Sequence, residues 1–92
     1  MAFRLKAGVS PDEVESLLAA IRGLPAAVPG ILELQCGTNF SPARAHGYDL
    51  GLRVRFVGRA ELEAYGPHPA HQPVLARVRE LCDDVLALDF ES

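Results

Sequence analysis

The sequence predicts an α+β fold of the ferredoxin-like βαββαβ type, a four-stranded antiparallel sheet with its helices on one face. Three observations predict it. Short segments of period-two and period-3.6 hydrophobicity follow one another in the order strand, helix, strand, strand, helix, strand. The two main helical segments each carry a start signal and one apolar stripe. The segment that ends the series is apolar on both sides, so it needs cover on both.

With 92 residues the chain makes one domain, residues 1–92, with one core. A chain of this size buries only about 60–65% of its unfolded surface, so a staple or a partner adds needed stability. Hydrophobic residues make up 49% of the chain, enough for a globular core and too many for a disordered one. No apolar run approaches the roughly 20 residues of a membrane span, so no membrane partner is expected. The opening "MAFRLKAGVS" carries Arg4 and Lys6 where a secretory leader would be apolar. A net charge of −3 makes nucleic acid a poor partner. Cys36 and Cys82 are far apart in sequence and in no metal-ligand spacing, which suits two buried thiols in a reducing cytoplasm.

"FRLKA" (Phe3 to Ala7) alternates and reads as the first strand. "SPDE" then supplies an N-cap at Ser10, Pro11 at the first helical position and Glu13 to close a capping box. The helix runs to about Arg22, with Val14, Leu17, Leu18 and Ile21 on one stripe, and Gly23 and Pro25 end it. "AAVPG" is a turn, and "ILELQCG" (Ile31 to Gly37) is the second strand. "TNFSPARAHGYD" is a polar loop. In "LGLRVRFV" (Leu50 to Val57), Leu50, Leu52, Val54 and Phe56 face one way and Gly51, Arg53 and Arg55 the other. "RAELEAY" forms a short helix. "PVLARVRELCDD" forms the next, with Val74, Val78, Leu81 and Cys82 inward. "VLALDF" (Val85 to Phe90) is the last strand, with Val85 and Ala87 on one side and Leu86, Leu88 and Phe90 on the other.

This topology makes strands one and three central neighbours. Phe3, Leu5, Leu50, Leu52, Val54 and Phe56 then point at the helices, and Arg4, Lys6, Arg53 and Arg55 at the opposite face. The helices cover only one face, so a second copy is expected to cover the other as a two-fold homodimer. Its contact face would carry Arg4, Arg53, Arg55, Leu86, Leu88 and Phe90. The basic residues among these either hold an anion between subunits or pair with Glu33 and other acids.

The stretches "FRLKAGVS", "VPGILELQCGTNFSP", "GYDLGLRVRF", "AYGPHPAHQPV" and "LDFE" together resemble the stress-responsive A/B barrel domain family, whose members are dimeric α/β barrels. The match covers nearly the whole chain, and its most specific element is Tyr-x-x-His-Pro-x-His followed by a terminal Asp-Phe. The resemblance implies a homodimer with facing sheets and outer helices. A plant member cyclises a linear polyketide with a Tyr and the second His of this element, which fall on Tyr65 and His71. Its nearby Asp falls on Asp89. The chain departs from that enzyme at three places: no His lies on the first strand, a second His is replaced by Leu50, and pocket aromatics are replaced by Leu17, Leu18 and Ile21.

The candidate catalytic set is therefore His71 as base, Tyr65 as oxyanion donor and Asp89 as orienter of the imidazole. The alternative is that the three tie the corner together as a hydrogen-bonded network. The candidate ligand pocket between sheet and helices comprises Phe3, Leu5, Ile21, Leu50, Leu52 and Val54. It would hold a small apolar or carbonyl compound. His68, between Pro67 and Pro69, and His46, in a polar loop, lack further ligands at metal-binding spacing, so no metal and no cofactor are expected. Three functions follow: a small-molecule binding domain, an enzyme of cyclase or isomerase type, or a structural dimer acting through protein partners.

Overall fold

The computed structural model describes residues 1–41, 43 and 45–91; Pro42 and Arg44 of the expected polar loop lie outside them. The elements are β1 (Ala2–Leu5), α1 (Pro11–Arg22), α2 (Leu24–Ala27), β2 (Ile31–Thr38), β3 (Leu50–Phe56), α3 (Arg59–Tyr65), a 3-10 turn (Pro69–His71), α4 (Gln72–Leu81) and β4 (Cys82–Leu86). The sheet is antiparallel in the order β2-β3-β1-β4, with β1 and β3 central as expected.

The first helix forms where its capping box is written. Ser10 Oγ accepts from the Glu13 N–H at 3.2 Å, and Glu13 Oε1 accepts from the Ser10 N–H at 3.1 Å. The carboxylate that makes this bond titrates below its ordinary value. Leu17, Leu18 and Ile21 bury the helix against the sheet. The chain then re-enters a helix instead of turning: α2 accommodates Pro25 in its first turn, where a missing N–H costs nothing, and buries Leu24. Gly30 starts β2 at φ 93°, a left-handed conformation in which a Cβ would also stand 2.7 Å from the Glu61 side chain.

Helix-face residues Phe3, Leu17, Ile21, Leu24, Leu50 and Leu52 form the core with α4 residues Val74, Val78 and Leu81. Leu5, Val54 and Phe56 pack against it from the rim. Among the described residues no helix is long and apolar enough to cross a membrane.

The last strand differs most from expectation. The fourth helix stops at Leu81, and Cys82 already has extended backbone. Strand β4 runs Cys82–Leu86, three residues earlier than expected, with Leu5↔Cys82, Arg4↔Asp84, Phe3↔Val85 and Ala2↔Leu86 as partners. Asp83 is the extra residue of a bulge between Leu5 and Arg4, and its carboxylate meets Arg4 Nε at 2.7 Å. Two aspartates beside the negative end of the α4 dipole would disfavour further helix, whereas in the strand they face Arg4 and Tyr48. The ladder ends at Ala2↔Leu86, so Leu88, Asp89 and Phe90 lie beyond β4 and not on it.

Candidate functional site

The chain between α3 and α4 brings two aromatic rings together. Gly66 ends α3, and the 3-10 turn is started by His68, whose Nδ1 accepts from the Ala70 N–H at 3.1 Å. This corner, with Pro67 and Pro69 stiffening it, places His71 directly on Tyr65. Their ring centroids are 3.9 Å apart with planes 25° apart, and Phe56 adds a third ring 5.2 Å from Tyr65. Both side chains are buried, Tyr65 at 8% and His71 at 9% exposure.

The imidazole has a defined tautomer. His71 Nδ1 lies 3.2 Å from the Gly66 carbonyl oxygen. A carbonyl only accepts, so Nδ1 carries the proton and the neutral ring keeps Nε2 as its acceptor. The same oxygen also accepts from Gln72 Nε2 at 3.1 Å, which holds the corner. Burial pushes the Tyr65 phenol above its ordinary value, so its hydroxyl stays a donor at neutral pH. No hydrogen bond engages that hydroxyl among the described residues.

Two hollows exist. The smaller, about 210 Å³, lies between sheet and helices and is partly open to solvent. Tyr65 and His71 line it together with Phe3, Ile21, Leu52 and Val74. The larger, about 720 Å³, is a wide basin on the other face of the sheet, over Gly37, Gly51, Ala2 and Leu86. The smaller hollow is the better site despite its size, because it is the less open of the two and has Tyr65 and His71 in an otherwise apolar wall.

Of the expected pocket residues, Phe3, Ile21 and Leu52 line the cavity, while Leu5, Leu50 and Val54 pack elsewhere in the core. Leu24, Val74, Leu75, Val78, Arg79 and Val85 also line it. The inward stripe on α4 marks Val74 and Val78 in the sequence, whereas Leu24 sits on a helix whose sequence reads as a turn, and nothing local marks Arg79. Asp89 is exposed beyond β4, and among the described residues no hydrogen bond joins it to His71. The Gly66 carbonyl occupies the orienting position instead.

Arg4, Arg53 and Arg55 do share the face opposite the helices. Glu33 meets Arg53 at 3.1 Å and Arg55 at 3.7 Å within the same sheet, one carboxylate shared by two guanidinium groups. Tyr48 donates to Asp84 at 2.7 Å on that face, which lowers the carboxyl and raises the phenol. Leu86 is 54% exposed there, and Leu88 and Phe90 are 78% and 79% exposed beyond the strand. Among the described residues no three His, Cys, Asp or Glu side chains gather as metal ligands. Cys36 and Cys82 are free thiols, the first half-buried and the second buried.

The family described as Stress responsive A/B Barrel Domain matches residues 1–92. Among curated proteins, a stress-response A/B barrel domain-containing protein of Arabidopsis thaliana is 30% identical over 92 residues, covering 96% of this chain and 34% of that protein. The chain thus spans about a third of the length of that relative. A dimeric ferredoxin-like protein of unknown function from Thermobifida fusca is 31% identical, with a TM-score of 0.77 over 90% of this chain and 77% of its own. The hydroxynitrile lyase of Passiflora edulis has a TM-score of 0.85 over 95% of this chain and 83% of its own; at 21% identity it is a likeness of fold alone.

Proposed function

The chain belongs to the stress responsive A/B barrel domain family, and from that membership we propose that it is a homodimeric small-molecule-binding protein whose site is the cavity beside Tyr65 and His71. The observation that carries the proposal is the cavity itself. A hollow of about 210 Å³, lined chiefly by apolar side chains, opens between the sheet and the helices. A concave, mostly apolar hollow with a few polar groups in its wall suits a small apolar occupant. An engineered apolar cavity of about 150 Å³ admits benzene. The larger cavity here suits one substituted ring or a short chain carrying a polar group, with Tyr65 Oη as donor to it. The neutral ketone benzylacetone is a suitable calorimetric probe. Saturable binding by the wild type that is lost in Val74→Phe, with the fold retained, supports the reading; equal heats in the two proteins would overturn it.

The dimer rests on a separate observation. Ala2, Gly51 and Leu86 form an apolar row across the face that the helices leave bare, and Leu88 and Phe90 continue it beyond the strand. A second copy is the simplest cover, and it matches the dimeric description of the Thermobifida protein. The two unpaired thiols suit a reducing compartment, the cytoplasm in this reading.

A second reading makes the same site an enzyme for enolisation or cyclisation of a small carbonyl compound. The fixed His71 tautomer favours it, because Nε2 is left as the base. Nε2 would take a proton from the carbon beside the carbonyl, Tyr65 would donate to the enolate oxygen, and the proton would return from Nε2 to carbon or to the leaving group. A hydroxynitrile lyase with this fold supports the idea that the scaffold can carry an enzyme. Turnover abolished by His71→Ala but not by Asp89→Asn tests that reading.

A further inference from the structure

We infer that the cavity takes small apolar monocarboxylic acids, with the apolar body inside and the carboxylate on Arg79 at the mouth. The inference rests on the reading of the cavity as a ligand site and adds the class of ligand.

Arg79 lines the same cavity as Tyr65 and His71, yet its own side chain is exposed. The spacing explains its position. His71, Leu75 and Arg79 recur every four residues, so they form one ridge along the edge of the cavity, and at about 1.5 Å per residue the ridge is roughly 12 Å long. One end of the cavity thus carries the two polar rings and the other Arg79.

Among the described residues that side chain has no ion-pair or hydrogen-bond partner. Arg4, Arg22, Arg53, Arg55, Arg59 and Arg77 each sit in an ion pair. Arg79 is the one arginine among the described residues that does not. Glu80, its neighbour, is engaged by Arg77 at 3.3 Å instead. The remaining walls are chiefly Phe, Ile, Leu and Val, which cannot solvate a charge. An anionic ligand therefore keeps its carboxylate at the rim, where the planar guanidinium can donate two parallel hydrogen bonds, and lets only its apolar body enter. A cationic ligand of the same shape meets like charge at that rim.

The test compares hydrocinnamate, ionised at pH 7, with benzylacetone, which replaces one carboxylate oxygen by a methyl group and is neutral. Calorimetry should find the acid bound about tenfold more tightly by the wild type at low salt, with the advantage shrinking as salt is raised. Arg79→Gln should abolish the advantage. Arg77→Gln, with the same change in net charge on the same helix but no place in the cavity wall, should leave the advantage intact. Equal affinities in the wild type, an advantage insensitive to salt, or one that survives Arg79→Gln overturns the inference alone. Failure of both compounds to bind overturns the cavity reading and the inference together.

Discussion

Tyr65 and His71 stack face to face at 3.9 Å inside the core, while the Gly66 carbonyl fixes the proton of the imidazole on Nδ1. One short corner therefore brings a phenol and an imidazole to the wall of one cavity.

The two rings should separate binding from folding. Tyr65→Phe keeps the stack and loses only a hydroxyl that no protein group engages, so stability in urea should change by less than about 1 kcal/mol. Benzylacetone affinity should fall by about five- to tenfold, the worth of one hydrogen bond. His71→Ala removes the stack and orphans part of the Gly66 corner, and should cost about 1–3 kcal/mol.

Filling the cavity should have the opposite pattern. Val78→Leu adds one methylene beside an empty volume, so stability should hold or rise by up to about 0.8 kcal/mol. Ligand affinity should drop at least tenfold as the space shrinks. A loss of stability without loss of binding would mean that the cavity is already occupied by its own side chains.

Alkaline pH should weaken the fold in a way traceable to Tyr65. Its phenol is raised by burial, so above pH about 10 the unfolded chain loses this proton while the folded chain keeps it. The unfolded state then binds fewer protons, and stability falls as pH rises; below that range the contribution is fully present. Ultraviolet titration should show native tyrosinate forming only above the value seen in urea. The pH slope of stability should be shallower in Tyr65→Phe.

The open face should control association. Leu86→Asp places a charge in the apolar row beside Ala2 and Gly51. Sedimentation should find a dimer for the wild type at micromolar concentration and at least a hundredfold weaker association for the variant.

How far the sequence can be read depends on where its signals are local. Helix α1 is legible to the residue, because Ser10, Pro11 and Glu13 write the cap directly. Strand β3 is legible because Leu50, Leu52 and Val54 alternate without interruption. Strand β4 begins earlier than its pattern suggests because the bulge at Asp83 breaks its period, and Val78, Leu81 and Cys82 continue a helical stripe past the true helix end. The short α2 is hidden by Pro25, which serves equally well in a turn or a first helical turn. At the site, Tyr65 and His71 are legible as a pair through their motif. Arg79 is not, since its role depends on which wall α4 presents and on Glu80 being engaged by Arg77.

The most direct test of the cavity as a ligand site is a proton–carbon NMR titration of the methyl and aromatic groups with benzylacetone. The account predicts saturable shifts concentrated on Tyr65, His71, Val74 and Val78. Shifts confined to the opposite face at Ala2, Leu86 and Phe40, or an unmoved core at millimolar ketone, would contradict it.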